Sequence, residues 1–323
     1  MKKLVVLAVF CLLSACVDDG KKTILVIESY HAEYLWDAGY VRGLKSKLGE
    51  AFNLEFFYMD TKRLPQEEHQ AMAAKALDTY HAVKPDLVII GDDAALKFTG
   101  PRLARTSTPV VFLGINNNPR NYFMQWPRNF TGILERPLLA ESIATMKAVM
   151  PDLRRVAVLF DTDLTARATH EELFVNQDET TIAGVGVDIK MVPTFAEWQR
   201  LVAESGQNYQ ACVMGLYHNL KDESGATVDP EQVAVWTSAN SPVPLFAFWD
   251  FSVSADKAVG GLIVSAEEQG RMAADVAERI LSGAKPEEIP PASGGNGELL
   301  FSQTQLAKHG LTLPRAMLAR LLD

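Results

Sequence analysis

Residues 23–58, TILVIESYHAEYLWDAGYVRGLKSKLGEAFNLEFFY, decide the fold class of this chain. The first six residues are apolar or β-branched apart from a terminal Glu, which is typical of a buried strand. The last six combine Leu54 and three aromatic residues with Asn53 and Glu55, and they also predict a strand. Between them, Val41, Leu44 and Leu48 recur at helical spacing and predict a helix over 36–49. Two strands joined by a helix predict a right-handed βαβ unit and a parallel sheet.

The alternation of strands and helices continues outward from this unit and then starts again. Further strands are predicted at 86–90 and 109–113, and a second series begins with a helix at 137–149 and a strand at 154–160. Apolar runs without clean alternation indicate strands that are covered by helices on both faces. The sequence therefore predicts an α/β protein of two doubly wound, Rossmann-like lobes.

The same pattern sets the expected domain boundaries. A hinge of crossing strands is expected near 131–136 and 260–265, with a third crossing near 285–290. A helix is predicted over 164–183, and closing helices are predicted after a small strand at 298–301. The predicted division is a signal peptide at 1–15, a lipidated linker at 16–22, a first lobe at 23–133 plus 266–323, and a second lobe at 134–265.

The N-terminus predicts export and lipidation. Lys2 and Lys3 precede an apolar run at 4–13, which is too short to span a bilayer and is followed by Ser14-Ala15-Cys16. This arrangement resembles a bacterial lipoprotein signal, in which Cys16 becomes the acylated first residue; an ordinary secreted protein is the alternative. In Gram-negative bacteria, a residue other than Asp after the acylated cysteine favours the outer membrane, so Val17 favours an outer-membrane lipoprotein facing the periplasm.

Charge and cysteine content exclude several classes of function. The chain has a formal net charge of −9, and it becomes more acidic still if Lys2 and Lys3 leave with the signal. An acidic surface repels nucleic acid, and no basic run with interleaved aromatic residues is present, so no nucleic-acid partner is expected. After removal of Cys11 and lipidation of Cys16, only Cys212 remains, so no intramolecular disulfide is expected.

Polar and aromatic residues follow the predicted strands of both lobes. In open α/β sheets, ligands bind outside the carboxyl ends of the strands, so these loops are expected to face one ligand cleft. Acidic and aromatic side chains together suit a ligand with an ammonium group and an apolar or aromatic body. The candidate ligand-binding residues are Tyr30, Trp36, Asp37, Asp92, Asp93, Asn116, Asn117, Asp161, Tyr217, Trp249 and Asp250.

Each candidate also has a structural alternative. Trp36 and Tyr30 could belong to the core, and Asp37 could cap a helix, a role that Asp favours. One of the two carboxylates that follow Gly91 could cap the next helix and leave the other free. Asn116 and Asn117 could form a turn, because Asn tolerates the left-handed conformation. The same two possibilities stay open for the candidates of the second lobe.

Four of these loops and strand ends carry a resemblance to a known family. They are Ser29-Tyr30-His31 with Tyr34 and Trp36, Gly91-Asp92-Asp93, the strand end Val111-Phe112-Leu113-Gly114-Ile115-Asn116, and Phe248-Trp249-Asp250. Over roughly residues 22–285, the chain resembles the type I periplasmic-binding-like substrate-binding proteins of ABC transporters. The branch it resembles includes aromatic amino-acid binders and the extracytoplasmic sensor domains of histidine kinases.

The resemblance implies a type I periplasmic binding protein that closes two lobes on a small ligand without chemistry. Its partner would be an ABC permease or, as the alternative, a membrane sensor kinase that recognises the closed form. No nucleophile elbow, P-loop, GxGxxG or HExxH motif is present, so neither an enzyme nor a cofactor is expected. His31 and His218 follow predicted strands, but a metal site is not expected from them. A structural outer-membrane lipoprotein is the remaining class.

Overall fold

The computed structural model describes residues 20–295 and 297–323. The predicted signal peptide, residues 1–15, and the predicted lipidation site at Cys16 lie outside the described residues. Within the described ranges, no helix is both long enough and apolar enough to cross a membrane.

The first lobe is built on a six-stranded sheet in which all neighbouring strands are parallel. Helices α1 (Leu35–Leu48), α2 (His69–Val83) and α3 (Asp92–Leu103) connect its first four strands. The strands are β1 (Thr23–Glu28), β2 (Asn53–Tyr58), β3 (Leu87–Gly91), β4 (Val110–Ile115), β5 (Phe130–Leu134) and β12 (Ala292–Ser293), in the order β12-β5-β4-β3-β1-β2. Because β1 lies between β2 and β3, the direction of winding reverses between β1 and β3.

The second lobe is built on an eight-stranded, mostly parallel sheet. Its helices are α4 (Leu139–Val149), α5 (Leu164–Phe174), α6 (Phe195–Asn208) and α7 (Pro230–Asn240). The strands are β6 (Arg155–Phe160), β7 (Glu179–Ile182), β8 (Val185–Met191), β9 (Ala211–Met214), β10 (Leu245–Ala247), β11 (Gly260–Ile263), β13 (Glu298–Ser302) and β14 (Arg320–Leu322), in the order β14-β13-β11-β10-β9-β6-β8-β7. Here the winding reverses between β6 and β9.

Helix α8 (Ala266–Leu281) returns the chain to the first lobe, where it packs closely against α1. Glycines make this approach possible: a Cβ on Gly43 would lie 2.8 Å from the backbone nitrogen of Arg271, and a Cβ on Gly270 would meet the backbone of Tyr40. A side chain at either glycine would force the two helices apart. The chain passes between the sheets after β5, after β11 and between β12 and β13. The third crossing therefore follows Ser293 rather than lying near 285–290.

The C-terminal segment corrects the predicted domain division. Residues 266–323 were predicted to join the first lobe, but β13 pairs antiparallel with β11, and β14 extends the second sheet beside β13. Gly260, with a φ of 129°, permits this pairing, because a Cβ there would meet the carbonyl oxygen of Leu300. Helix α9 (Gln303–Lys308) is followed by a strand instead of a further helix.

The helix predicted over 164–183 is also shorter than expected. It ends at Phe174 because Val175 and Asn176 take left-handed conformations, with φ of 52° and 56°. Strand β7 then turns back onto β8 through Ala183 and Gly184, both of which have positive φ. This is the two-residue hairpin connection that such backbone angles favour.

Candidate functional site

The two sheets bring their reversal points together across the gap between the lobes. In doubly wound sheets this is where ligands bind, because the loops diverge there and leave a crevice. Tyr30 Oη lies 3.0 Å from Thr165 Oγ1 across the gap, and the Thr169 hydroxyl donates to Asn116 Oδ1 at 3.1 Å. We call this region the interlobe site, and it is formed by Tyr30, Trp36, Lys62 and Asp92 of the first lobe and by Asp163, Tyr217, His218 and Phe251 of the second.

Aromatic rings form a continuous group at the interlobe site. Phe251 stacks on Trp249 with ring centroids 6.2 Å apart, and it meets Trp36 and His218 edge to face at 6.5 and 5.0 Å. His218 in turn stacks on Tyr217 at 4.4 Å. Trp36 comes from the first lobe and the other rings from the second, so closure of the lobes assembles an apolar, aromatic wall.

Lys62, in the loop after β2, places a buried cation in this site. Its ammonium donates to Asp163 Oδ2 across the gap at 2.6 Å and lies 4.5 Å from the ring centroid of Tyr30 and 5.3 Å from that of Tyr34. Burial lowers the pKa of this ammonium, but the charges of Asp163 and Asp161 raise the pKa by more, so the net shift is upward. The interlobe site is therefore an environment that favours a cation.

Several buried carboxyl groups of the two lobes have raised pKa values. Burial raises the pKa of Glu135 to about 8 and the pKa values of Glu28 and Asp161 to about 7. Burial and the negative charges of Glu135 and Asp93 raise the pKa of Asp92 well above its ordinary value. Near neutral pH these groups hold protons that a second cation would displace.

Several buried polar atoms of the site have no hydrogen-bond partner among the described residues. They are Trp36 Nε1, Asp92 Oδ2, His218 Nδ1 and both carboxylate oxygens of Asp37. A Cβ on Gly114 would lie 3.1 Å from Trp36 Nε1 and 3.3 Å from Asp92 Oδ2, so an unused donor and an unused acceptor converge on the backbone of Gly114. Each unpaired buried polar atom costs about 1–3 kcal/mol, which a ligand that pairs with it would recover.

Other predicted residues of the first lobe use their polar atoms within the protein. The Asp93 carboxylate accepts hydrogen bonds from the backbone N–H groups of Asn116 and Asn117 at 2.9 and 3.2 Å and from the Tyr122 hydroxyl at 2.9 Å. Asn117 Oδ1 accepts from Asn121. These bonds shape the loop after β4.

The predicted residues of the second lobe are likewise bonded within the protein. Asp161 accepts from the backbone N–H groups of Asp163 and Asn219 and so ties together the loops after β6 and β9. Asp250 accepts from the N–H of Ala266 at the start of α8. The Tyr217 and Ser252 hydroxyl oxygens lie 3.1 Å apart, and Trp249 Nε1 donates to Glu135 Oε1 at 2.5 Å.

Sequence reasoning did not single out Lys62 or Glu135. Lys62 lies four residues beyond the end of β2 in a loop without a motif, and Glu135 directly follows β5 where the chain leaves the first sheet. The position of Glu135 after a strand was an available signal. His31 and His218 each meet the Tyr34 ring edge to face, at centroid distances of 5.9 and 5.0 Å. Throughout the described part of the chain, no three His, Cys, Asp or Glu side chains are grouped to hold a metal ion.

The raised carboxyl pKa values predict that the unliganded protein loses stability as the pH rises from about 6.5 to about 8. In this window the native state still binds protons on Glu135, Glu28 and Asp161 that the unfolded chain has released, so the free energy of unfolding falls with pH. Below pH 6.5 the lowered pKa of buried His218 has the opposite effect on stability, because the contribution of this group to the free energy of unfolding rises with pH there.

Thermal unfolding at several pH values tests this decline in stability. The Glu135→Gln variant should have a shallower decline, and an equal decline in both proteins contradicts the assignment of Glu135.

Comparison with known proteins gives a family match and a set of structural relatives. A family model described as ABC transporter substrate binding protein matches residues 23–321. Among proteins with curated functions, none matches the sequence significantly. A Streptococcus pneumoniae ABC domain in complex with L-Trp is similar in structure, with a TM-score of 0.69 and 17% identity over 94% of this chain and 100% of that one.

Two further solved structures share the architecture. One is a ligand-free, open substrate binding protein with adhesive properties from Clostridium difficile, with a TM-score of 0.60 and 15% identity over 94% of this chain and 99% of that one. The other is the periplasmic binding protein of an arabinose ABC transporter from Shewanella sp. ANA-3, with a TM-score of 0.54 and 16% identity over 89% and 94% of the two chains. At these identities the likeness establishes the two-lobed type I periplasmic binding protein fold.

Proposed function

The chain belongs to the family of ABC transporter substrate binding proteins, and from this premise we propose that it is a lipid-anchored protein whose lobes close on a small amine-bearing ligand for an ABC importer. The amine would pair with a buried carboxylate of the interlobe site, and an apolar or aromatic body would lie against Trp36 and Phe251. Proteins of this family act outside the cytoplasm, which accords with an N-terminal signal.

The observation that carries the proposal is that Asp92 and Trp36 each have an unused polar atom beside Gly114. Asp92 Oδ2 is buried and has no partner among the described residues, and Trp36 Nε1 is an equally unused donor beside it. An ammonium that reached Asp92 would form a charge-assisted hydrogen bond, which is stronger than a neutral one. Trp36 would supply both a ring face and an N–H donor to the same molecule.

The surroundings of Lys62 support a cationic ligand, because the Lys62 side chain is itself an amine bound in this site. This ammonium is held by a carboxylate and by the faces of two tyrosine rings, the combination that a free amine would meet. Asp92, Glu135 and Asp37 are further carboxyl groups of this part of the protein, and burial is the main cause of their raised pKa values. A second cation that reached one of them would favour its ionised form.

A thermal-shift screen of the unlipidated chain tests the ligand class. The panel would contain amino acids, aromatic and aliphatic amines, nucleosides, sugars and carboxylic acids. A ligand at 100 times its dissociation constant raises the free energy of unfolding by about 2.7 kcal/mol, enough to move the midpoint measurably. Amines, above all aromatic ones, should give the largest shifts. A ligand without an amine that binds at the interlobe site contradicts this proposal.

Lipidation at Cys16 is a separate part of the proposal and has its own test. The Cys16→Ser variant should lose incorporation of radiolabelled lipid and should fractionate with soluble proteins, because a single thiol would carry the anchor. Cys11→Ser, in the apolar run of the signal, is the matched control and should remain membrane-bound. Membrane association of Cys16→Ser equal to that of the control would disprove the anchor.

A further inference from the structure

A second feature lies between the lobes, outside the buried part of the interlobe site. It is a cleft of about 870 Å³ whose inner end is formed by Tyr30, Lys62, Asp163 and Thr165. Towards solvent it widens between the loop after β2, the side of α3 and the start of α5. We call this space the basic cleft, after the side chains described next.

Six of the side chains that line this cleft are basic. Among the described residues that line it, Asp163 is the only one with a carboxylate, and this carboxylate is already paired with Lys62 at 2.6 Å. In a chain with a net charge of −9, such a concentration of positive charge is unexpected. The basic residues are Lys62, Arg63, His69 and Lys97 of the first lobe and Arg167 and Lys221 of the second.

Three of the lysine and arginine side chains in this set have no ion pair within the described part of the chain. Lys97 lies over the ring of Phe98, Arg167 donates its Nε–H to the carbonyl oxygen of Thr162, and Lys221 donates to the hydroxyl of Thr227. Each of these contacts is to a neutral group, so the positive charges remain uncompensated. Cationic side chains that line the same cleft can donate charge-assisted hydrogen bonds to an oxyanion.

The uncompensated cations lie on both lobes, so they affect the closure of the lobes. Lys97 belongs to the first lobe and Arg167 and Lys221 belong to the second, and like charges on the two walls of one cleft oppose closure of the lobes. An anion between them would turn this repulsion into attraction from both sides.

We propose that the basic cleft binds an oxyanion, a carboxylate or a phosphate, which bridges the two lobes and stabilises the closed form. The oxyanion is either a free anion or the outer end of the transported solute. The proposal rests on the cleft and its charges, and it holds whether or not the buried carboxylates bind an amine. Its failure is therefore separable from that of the proposed amine ligand.

The test uses inorganic phosphate as the probe and two charge-matched double variants. Lys97→Gln/Arg167→Gln removes one cation from each side of the cleft. Lys75→Gln/Arg102→Gln removes the same charges from exposed positions on α2 and α3 that do not line the cleft. In low-salt buffer, phosphate should raise the unfolding midpoint of the wild type and of the surface variant. Its affinity for the cleft variant should be about a hundredfold lower, since two charged contacts are lost.

A second pair of probes distinguishes the sources of the oxyanion. If the solute carries it, O-phosphoethanolamine should bind the wild type more tightly than either phosphate or ethanolamine, and the cleft variant should abolish this advantage. If a free anion suffices, phosphate should bind as tightly as O-phosphoethanolamine. No phosphate-induced shift in the wild type, or equal phosphate affinities in the two double variants, would overturn the proposal.

Discussion

Replacing Lys62 by methionine is expected to open the unliganded protein. Lys62 and Asp163 join the two lobes through a pair with only 6% and 11% of their side-chain surfaces exposed. Burial would raise the pKa of Asp163, but the Lys62 ammonium holds it below its ordinary value, so the carboxylate is charged. Removing the cation leaves this charge buried and unpaired, which costs about 3–5 kcal/mol. The closed population should fall between about a hundredfold and a few thousandfold relative to the open one.

Opening rather than unfolding is the expected response, because separation of the lobes returns Asp163 to water. Small-angle X-ray scattering should therefore give a larger radius of gyration for Lys62→Met than for the wild type, whereas the unfolding transition should stay cooperative. Lys62→Met/Asp163→Asn should regain the compact form. Asparagine removes the unpaired charge and still accepts the N–H of Ala166 as the cap of α5.

Lys47→Met is the matched control for this experiment. Lys47 pairs with Asp275 at the same 2.6 Å distance, but 41% and 52% of these side chains are exposed, and solvent screens such pairs. We expect no change in the radius of gyration. A compact Lys62→Met variant, indistinguishable from Lys47→Met in scattering, would show that the Lys62 pair does not hold the lobes together.

Replacing Asp92 by asparagine is expected to remove most of the affinity for an amine ligand while sparing the fold. Asp92 has a φ of 67°, in the left-handed region, which Asn tolerates well, so the backbone should be unaffected. Loss of the charge should cost about 2–5 kcal/mol of binding free energy, or between about thirtyfold and a few thousandfold in Kd. Titration calorimetry with the amine that gives the largest thermal shift measures this effect.

Asp93→Asn gives the opposite result if the two neighbouring carboxylates have the roles that their contacts indicate. Asp93 accepts three hydrogen bonds that hold the loop after β4, so its replacement should lower the unfolding midpoint and change amine affinity only a few-fold. Wild-type affinity in Asp92→Asn, or equal losses in both variants, contradicts the assignment of Asp92 as the partner of the amine.

Local patterns predicted most of the strands and helices. The runs at 23–28 and 53–58 form β1 and β2 with the predicted bounds, because short runs rich in β-branched, aromatic and other apolar residues favour a strand. The helix over 164–183 was wrong at its end, because two residues with left-handed backbone angles stop it at Phe174. The assignment of 298–323 failed because pairing partners that are distant in sequence cannot be derived from the pattern of either strand.

For the candidate site, the sequence by itself determined which loops to consider. It did not determine which side chain of each loop has polar atoms without a partner in the protein. Asp92 and Asp93 are adjacent carboxylates after the same strand, and only the path of the loop after β4 occupies both oxygens of Asp93 and leaves Oδ2 of Asp92 without a partner. Lys62 had no local signal, because its partner Asp163 is 101 residues away and belongs to the other lobe. Backbone propensity and apolar periodicity act within a few residues, so the sequence specifies elements and strand ends. Burial, hydrogen-bond saturation and charge pairing depend on distant segments, so only the tertiary structure decided the environment of each side chain.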